Sequence, residues 1–256
     1  MKLITLNIWG GCVRDPLLQF IQTHSEVDVW CLQEVYHSAA DKISTDDRDV
    51  SLDIYSDIQD ILTDHKAFFR PTVQGIYGIA SFVKKNIKVI EEGEVSIHHN
   101  HDYPGTGPAH SRNLQWLTCH HNDKTYSIMN LHALWNGQGK TDTPDRIAQS
   151  HKIKAFIDTV KTPKIVCGDF NLRPDTKSLH IIENGLNNLI AQYNVTSTRT
   201  SLYKKEEKFA DYIFTSPELS VNDFKVLPDE VSDHSALLLD FECAPLVMPA
   251  KAGIQD

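Results

Sequence analysis

The sequence lacks the features that would place it in several large protein classes. It has no apolar run near the roughly 20 residues that a bilayer crossing needs. Its opening "MKLITLNIWGG" holds one Lys and a short strand-like run that already reaches the polar Asn7. That segment is too short and too polar for a secretory signal or an anchor, so a soluble cytoplasmic protein is expected. A basic excess is missing as well: 25 Lys and Arg stand against 34 Asp and Glu, a formal charge of -9. Non-specific hold on duplex DNA or on an anionic membrane is mostly electrostatic, so a coating role is disfavoured, while a local basic groove remains compatible with these totals. The five cysteines, Cys12, Cys31, Cys119, Cys167 and Cys243, are odd in number and far apart. Buried free thiols in a reducing compartment fit them better than a disulfide framework. No Cys/His cluster has structural-zinc spacing, and no Gly-rich phosphate loop of the common nucleotide-binding kinds is present. Repeats and low-complexity linkers are absent too, so 256 residues with 41% hydrophobic content are expected to bury one core as one domain.

What is present is strand-rich. β-branched and aromatic enrichment marks strands at "KLITLNIW", "VDVWCLQEV", "IYGIASFV", "IKVIEEGEVSI", "NLQWLTCHH", "KTYSIMNLHAL", "KIVCGD", "FADYIFTS" and "HSALLLDFE". Helical spacing appears at "DPLLQFIQTHS", at "DVSLDIYSDIQDILTDH" and at "TPDRIAQSHKIKAFIDTV". The last begins with Thr143 as N-cap, Pro144 at the first position and Asp145 in the first turn. Strands that come partly in hairpin series and partly separated by helices imply two sheets packed face to face with helices outside. The stretch 98–111 is the longest loop and carries His98, His99, His101 and His110 among Pro and Gly. It is expected to be solvated, because spacing alone fixes no coordination geometry. Residues 243–256, with two prolines and no periodicity, are expected to form a tail outside a domain of residues 1–242.

Polar residues recur where apolar runs stop: Asn7 after "LITL", Glu34 after "VWCLQ", His132 after "SIMNL", Asp169 and Asn171 around "KIVCG", Asp211 before "YIF", and Asp233 with His234 before "SALLLDF". Each alone has a plain structural explanation, such as a turn former or a solvated strand end. Together they suit phosphoester cleavage with a hard metal. Glu34, Asp233 and the Asn7 amide offer oxygen ligands for Mg²⁺, with Mn²⁺ as a substitute. Asp169 orients or deprotonates an attacking water, while Asn171 and His132 donate to phosphoryl oxygens as charge builds. His234 stabilises the pentacoordinate state if a carboxylate fixes its tautomer, and Asp211 is the natural partner for it or for His132.

The ordered set "LNIWG", "LQEV", "NLH", "GDFN", "DYIF" and "SDH" resembles the endonuclease/exonuclease/phosphatase superfamily of Mg²⁺-dependent phosphodiesterases and phosphomonoesterases, and the resemblance spans Asn7 to His234. It implies an α/β four-layer sandwich of the DNase I-like kind, two packed β-sheets flanked by helices with the site at one rim. It also implies Glu34 as principal metal ligand, Asn7 and Asp233 as metal or phosphate contacts, and Asp169 as the water-orienting carboxylate. Asn171 becomes a phosphate contact, His234 the catalytic histidine and Asp211 the aspartate that orients it. His132 looks like the second histidine of the nuclease, sphingomyelinase and tyrosyl-DNA phosphodiesterase branches, which argues against a dedicated abasic-site enzyme.

Three further residues are substrate-binding candidates. Arg173, after the "GDFN" turn, either grips a phosphate bidentately or is a plain surface residue. Arg112 either faces the rim or makes a salt bridge on the sheet surface, and Trp135 is placed to stack on a base or ring, a role in which Trp9 is weaker because capping the core suits it better. The expected activity is a phosphodiesterase of nuclease type acting on a nucleic-acid end or adduct. A phosphomonoesterase for an inositol or nucleotide phosphate is the enzymatic alternative, and a catalytically silent phosphate-binding module the non-enzymatic one. No membrane association and no obligate protein partner is evident.

Overall fold

A computed structural model describes residues 1–43, 50–104 and 107–243. From the N-terminus run β1 (Lys2–Asn7), α1 (Arg14–Thr23), β2 (Val29–Tyr36), α2 (Ile54–Ile61), β3 (His65–Val73) and β4 (Tyr77–Lys84). Next come β5 (Lys88–His98), β6 (Arg112–His121), β7 (Lys124–His132), α3 (Pro144–Thr159), β8 (Lys164–Asp169) and α4 (Lys177–Glu183). The last are β9 (Asn187–Asn188), α5 (Leu189–Gln192), β10 (Asp211–Thr215), β11 (Leu219–Val226) and β12 (Leu237–Cys243). They form two six-stranded mixed sheets, ordered β11-β12-β1-β2-β4-β3 and β5-β6-β7-β8-β10-β9. The expected face-to-face α/β sandwich is therefore what the chain builds.

The two sheets share a device at their centres. In the first, β1 and β2 are parallel and joined through α1; in the second, β7 and β8 are parallel and joined through α3. A crossover of this kind returns the chain in the same direction, so both strands of a pair end on the same edge. Strands β1 and β2 pack against β7 and β8, and four strand ends meet at one rim.

Alternation along each strand then decides which side chains enter the layer between the sheets. In β1, Leu3 packs into the inter-sheet core while Ile4 and Leu6 pack under the helices, so Asn7 shares the face of Leu3 and Thr5. In β2, Val29 and Cys31 face the other sheet and Trp30 and Leu32 face the helices. That parity would send Glu34 to the helix side. A bulge between Gln33 and Val35 breaks it: Val35 joins the helix-side core, and Glu34, at φ 59°, is turned out of the ladder. A buried polar layer lies directly beneath. Gln33 Nε2 donates to Asn130 Oδ1 at 2.7 Å and to Thr5 Oγ1 at 3.1 Å, and Ser81 Oγ donates to Gln115 Oε1 at 2.7 Å. The Gln33–Asn130 and Ser81–Gln115 bonds cross between sheets and fix their relative register where apolar packing alone would not.

Helix α3 starts as its sequence dictates, with the Thr143 hydroxyl accepting from the Arg146 N–H and Pro144 at its first position. Helix α2 is shorter than its apolar spacing predicts, eight residues from Ile54, with Ile54 and Ile58 buried. Strands β3 and β11 carry no strong sequence signal. Both lie on sheet edges, where the other face is solvated; β3 contains Pro71 and β11 alternates apolar with exposed polar residues. None of the five cysteines forms a disulfide among the described residues, and Cys31, Cys119 and Cys167 are buried. Strand β12 runs to Cys243, one residue into the segment read as a tail, and 244–256 lie outside the described residues. No helix among the described residues is long and apolar enough to cross a membrane.

Gly168 is the tightest point of the parallel pair that presents the site. Its φ is 131°, and a Cβ there would meet the Leu131 carbonyl oxygen at 2.0 Å. Gly168→Ala is expected to cost more than about 3 kcal/mol in urea denaturation. A loss below about 1 kcal/mol would show that β7 and β8 can part without penalty.

Candidate active site

Where the four strand ends meet, the Asn7 amide bridges two carboxylates from different sheets. Asn7 Nδ2 donates to Glu34 Oε1 and to Asp169 Oδ2, each at 3.0 Å, while its Oδ1 accepts from the Trp9 N–H at 3.0 Å. The Ser232 hydroxyl donates to the Asn7 carbonyl at 2.7 Å, tying the segment before β12 to the end of β1. In this arrangement Asn7 offers its nitrogen to the carboxylates, so it ties ligands together instead of presenting an oxygen of its own.

Asp169 is the hub. It is 1% exposed, and the Asn171 N–H donates to its Oδ1 at 2.8 Å. His132 Nε2 and His234 Nε2 both lie 3.7 Å from its Oδ2. Burial pushes this carboxyl up, but its basic neighbours His234, Lys140, His132 and Arg199 outweigh that and hold Asp169 well below the usual carboxylate range. Glu34 behaves oppositely: burial pushes it above its ordinary value against the Asn7 hydrogen bond, although 26% of its side chain still meets solvent. Burial, and then the nearby Arg112, push the His132 imidazole well below its usual range. Asp169 is thus an anion and His132 a neutral ring at neutral pH.

Beside the hub, His234 Nδ1 sits 2.8 Å from both Asp211 oxygens, and the Thr198 hydroxyl donates to Asp211 Oδ2 at 3.0 Å. The carboxylate fixes the proton on Nδ1 and leaves Nε2 facing the site. Asp211 reaches this place because β10 pairs antiparallel with β8, with Asp211 opposite Asp169. Asp233 lies next to His234 and receives Arg199 Nη1 at 3.3 Å; its Oδ1 is buried with no hydrogen-bond partner. Asn171 holds a left-handed turn at φ 52°, accepts from Lys140 Nζ at 3.2 Å and donates to the Ala133 carbonyl at 3.2 Å. Its second amide hydrogen remains available.

The structure thus brings Asn7, Glu34, His132, Asp169, Asn171, Asp211, Asp233 and His234 to one rim. Arg112 joins them with more weight than its sequence context implies. It is 3% exposed and makes no salt bridge among the described residues; one hydrogen bond runs from Nη2 to the Pro108 carbonyl at 2.9 Å, while Nε and Nη1 have no partner among them. His110 is likewise not a solvated loop residue: it is 5% exposed, edge-on to Tyr77 and to Tyr103, with its ring 6.5 Å from that of His132. His99 and His101 are exposed and pack on each other. Trp135 is half-buried between Arg146 and Lys205, and Trp9 does not cap the core but is 37% exposed at φ 52°. Arg173 is engaged locally. Asp175, two residues on, takes its guanidinium in a bidentate pair at the surface, which its local spacing makes easy. Lys140 and Arg199, absent from the sequence-based list, are brought in by loops that carry no periodic signal.

A hard divalent cation fits this donor set. Glu34 has one oxygen engaged by Asn7, and Asp233 Oδ1 is a buried oxygen without a donor. The trio Asp169, Asp211 and His234 also clusters within 4.8 Å, but His234 and Asp211 are spent on each other.

A model of the endonuclease/exonuclease/phosphatase family matches residues 4–234. No curated protein matches the chain. Among solved structures, the Bacteroides thetaiotaomicron mannosyl-6-phosphatase is 16% identical with a TM-score of 0.74, covering 94% of this chain and 99% of its own. The catalytic domain of human Nocturnin with bound sulfate is 20% identical with a TM-score of 0.67, covering 95% and 93%. A D. rerio TDP2 humanized by 14 mutations is 15% identical with a TM-score of 0.63, covering 94% and 98%. At these identities the likeness concerns the fold.

Arg112→Met should raise stability by about 1 kcal/mol or more in urea denaturation, because it removes a buried charge with unfilled donors. Phosphate should raise the melting temperature of the parent protein and raise that of the variant less. Lower stability would mean that Arg112 is satisfied in the fold and does not await an anion.

Proposed function

The chain belongs to the endonuclease/exonuclease/phosphatase family, whose members are hydrolases of phosphoester bonds, and we propose that it is a Mg²⁺-dependent phosphodiesterase acting at a nucleic-acid end or adduct. The observation that carries this reading is the Asn7 amide linking Glu34 and Asp169 at 3.0 Å each, with two histidine Nε2 atoms 3.7 Å from Asp169. Glu34 and Asp233 would hold the cation, which supplies Lewis-acid polarisation of a phosphoryl oxygen.

The protein's own groups do the rest. Asp169 is too weak a base to take a proton outright from water, since its neighbours keep it ionised; it accepts a hydrogen bond from the attacking water and points a lone pair at phosphorus. His234, with Nδ1–H held by Asp211, presents Nε2 to the phosphoryl group where negative charge builds. The free amide hydrogen of Asn171 and the unfilled Nε–H and Nη1–H of Arg112 grip non-bridging oxygens. His132, neutral and buried, contributes a ring N–H that costs no added charge in the site.

A second reading, a phosphomonoesterase for a compact substrate, is favoured by charge placement. The net charge is -9, and the cations of the rim, Arg112, Lys140 and Arg199, are sunk into the site and form no exposed basic strip.

Asp169→Asn and His234→Ala should each lower kcat on bis-p-nitrophenyl phosphate by about a thousandfold. If neither does, these roles are wrong. On a labelled oligonucleotide the parent's kcat/KM should fall steeply with added salt. A flat salt response together with cleavage of p-nitrophenyl phosphate alone would select the monoesterase.

A further inference from the structure

Among the described residues, Trp9 is the large apolar side chain left exposed beside the site. The other two exposed ones, Ile90 and Tyr193, lie on the edge strand β5 and just after α5. Trp9 is placed from the site outward, because its N–H donates to Asn7 Oδ1 at 3.0 Å. Two costs go with that place. At φ 52° Trp9 holds a left-handed conformation that disfavours residues with a Cβ, Asn and Asp least among them. An indole left partly in water also forgoes burial that would stabilise the fold. Gly10 and Gly11 continue the same left-handed turn, at φ 61° and 72°. The chain thus fills two of these positions with the residue that suits them and the third with tryptophan.

What borders this turn is aromatic. Gly10 rests on Tyr36: a Cβ added to it would come 3.1 Å from Tyr36 Cε2 and 2.9 Å from Val50 Cγ1. Tyr36 and Tyr77 are paired across the β2–β4 ladder with ring centres 4.9 Å apart, just past the bulge that carries Glu34. Tyr77 meets His110 edge-on at 5.4 Å, and His110 lies 6.5 Å from His132. Rings therefore follow one another from the Trp9 turn, past Glu34, to the second histidine. Both tyrosines keep part of their surface in solvent. Trp135, the stacking residue that the sequence favours, is engaged by the protein's own cations: the Arg146 guanidinium is 5.8 Å and the Lys205 ammonium 5.2 Å from its ring centre.

We propose that Trp9 is the stacking plate of an aromatic-ring subsite, bordered by Tyr36 and Tyr77, that takes a planar ring carried by the substrate next to its phosphoryl group. The inference rests on the hydrolase reading, since it names a part of that enzyme's substrate. A neutral ring suits this end of the rim better than an anion, because Glu34 stands two residues from Tyr36 and the bordering side chains offer flat faces in place of cations. Stacking needs no basic strip, so it agrees with a net charge of -9. The Trp9 N–H is bonded to the same Asn7 side chain that bridges Glu34 and Asp169, so a ring held on Trp9 is held in a set relation to the reacting phosphate. A nucleobase and a phenol share this chemistry, and two pairs of probes tell them apart.

NMR titration of the full chain with labelled indole nitrogens, stripped of metal and kept in chelator, tests this without turnover. Adenosine 5′-monophosphate is compared with ribose 5-phosphate, and phenyl phosphate with methyl phosphate. In at least one pair the ring-bearing member should bind about tenfold more tightly. It alone should shift the Trp9 indole N–H, which is assigned by its loss in Trp9→Phe. Trp9→Asn, which keeps the backbone N–H and tolerates the left-handed turn, should bring the ratio to within about twofold, while Trp9→Phe should keep most of it. A gain confined to one pair supports the subsite and names its ring. Ratios near one in both pairs overturn it, as do a Trp9 signal that no probe moves and a ratio that survives Trp9→Asn. The parent titration decides by itself should a variant fail to fold. A silent diester assay alongside a ring-selective Trp9 shift would retire the chemistry and leave the subsite standing.

Discussion

Holding several carboxylates within a few ångströms of one another at a buried rim is the constraint on which the rest of this structure depends. Glu34, Asp169, Asp211 and Asp233 come from both sheets, and left alone they would repel one another or take up protons. The molecule offsets them one by one. Asn7 bridges Glu34 and Asp169, His234 takes Asp211, Arg199 takes Asp233, and Lys140 adds positive charge through Asn171. Two parallel strand pairs, each made by a crossover helix, make the meeting possible because they end four strands on one edge.

The same rim holds backbone conformations that side chains rarely adopt. Glu34, Asn171 and Trp9 hold left-handed turns, and Gly168 sits where a side chain would strike Leu131. Such positions persist only where their surroundings over-determine them. Here that surrounding is the inter-sheet layer of Thr5, Gln33, Asn130, Ser81 and Gln115, which is polar, buried and bonded across the sheets. An apolar layer of equal volume would pack as well but would let the sheets slide, and a shift of one residue would turn Asn7 and Asp169 away from each other.

Much of this was legible in the sequence, for identifiable reasons. Asn7, His132 and Asp169 end apolar strand runs, and a polar residue that terminates such a run on the inward parity has little choice but to face the rim. Glu34 was legible as a residue, but not the bulge that turns it inward, because no residue type marks that bulge. Lys140, Arg199 and His110 arrive on irregular segments, where position depends on tertiary closure and not on any period. For Arg173 the sequence left a phosphate grip and a plain surface residue both open, and a neighbour two residues away pairs with it at the surface. The edge strands β3 and β11 escaped notice because a half-solvated strand has too weak an apolar pattern to separate it from a loop.

The account turns on whether the carboxylate set at the rim binds a hard cation through Glu34. Titration of Mg²⁺ into the chelator-stripped protein, run beside Glu34→Gln, addresses this most directly. Glu34→Gln keeps the side chain's size and removes its charge, so the fold should survive. The account predicts a saturable heat in the parent that is absent in the variant at the same concentrations. No heat in the parent, or the same heat in both, would contradict it.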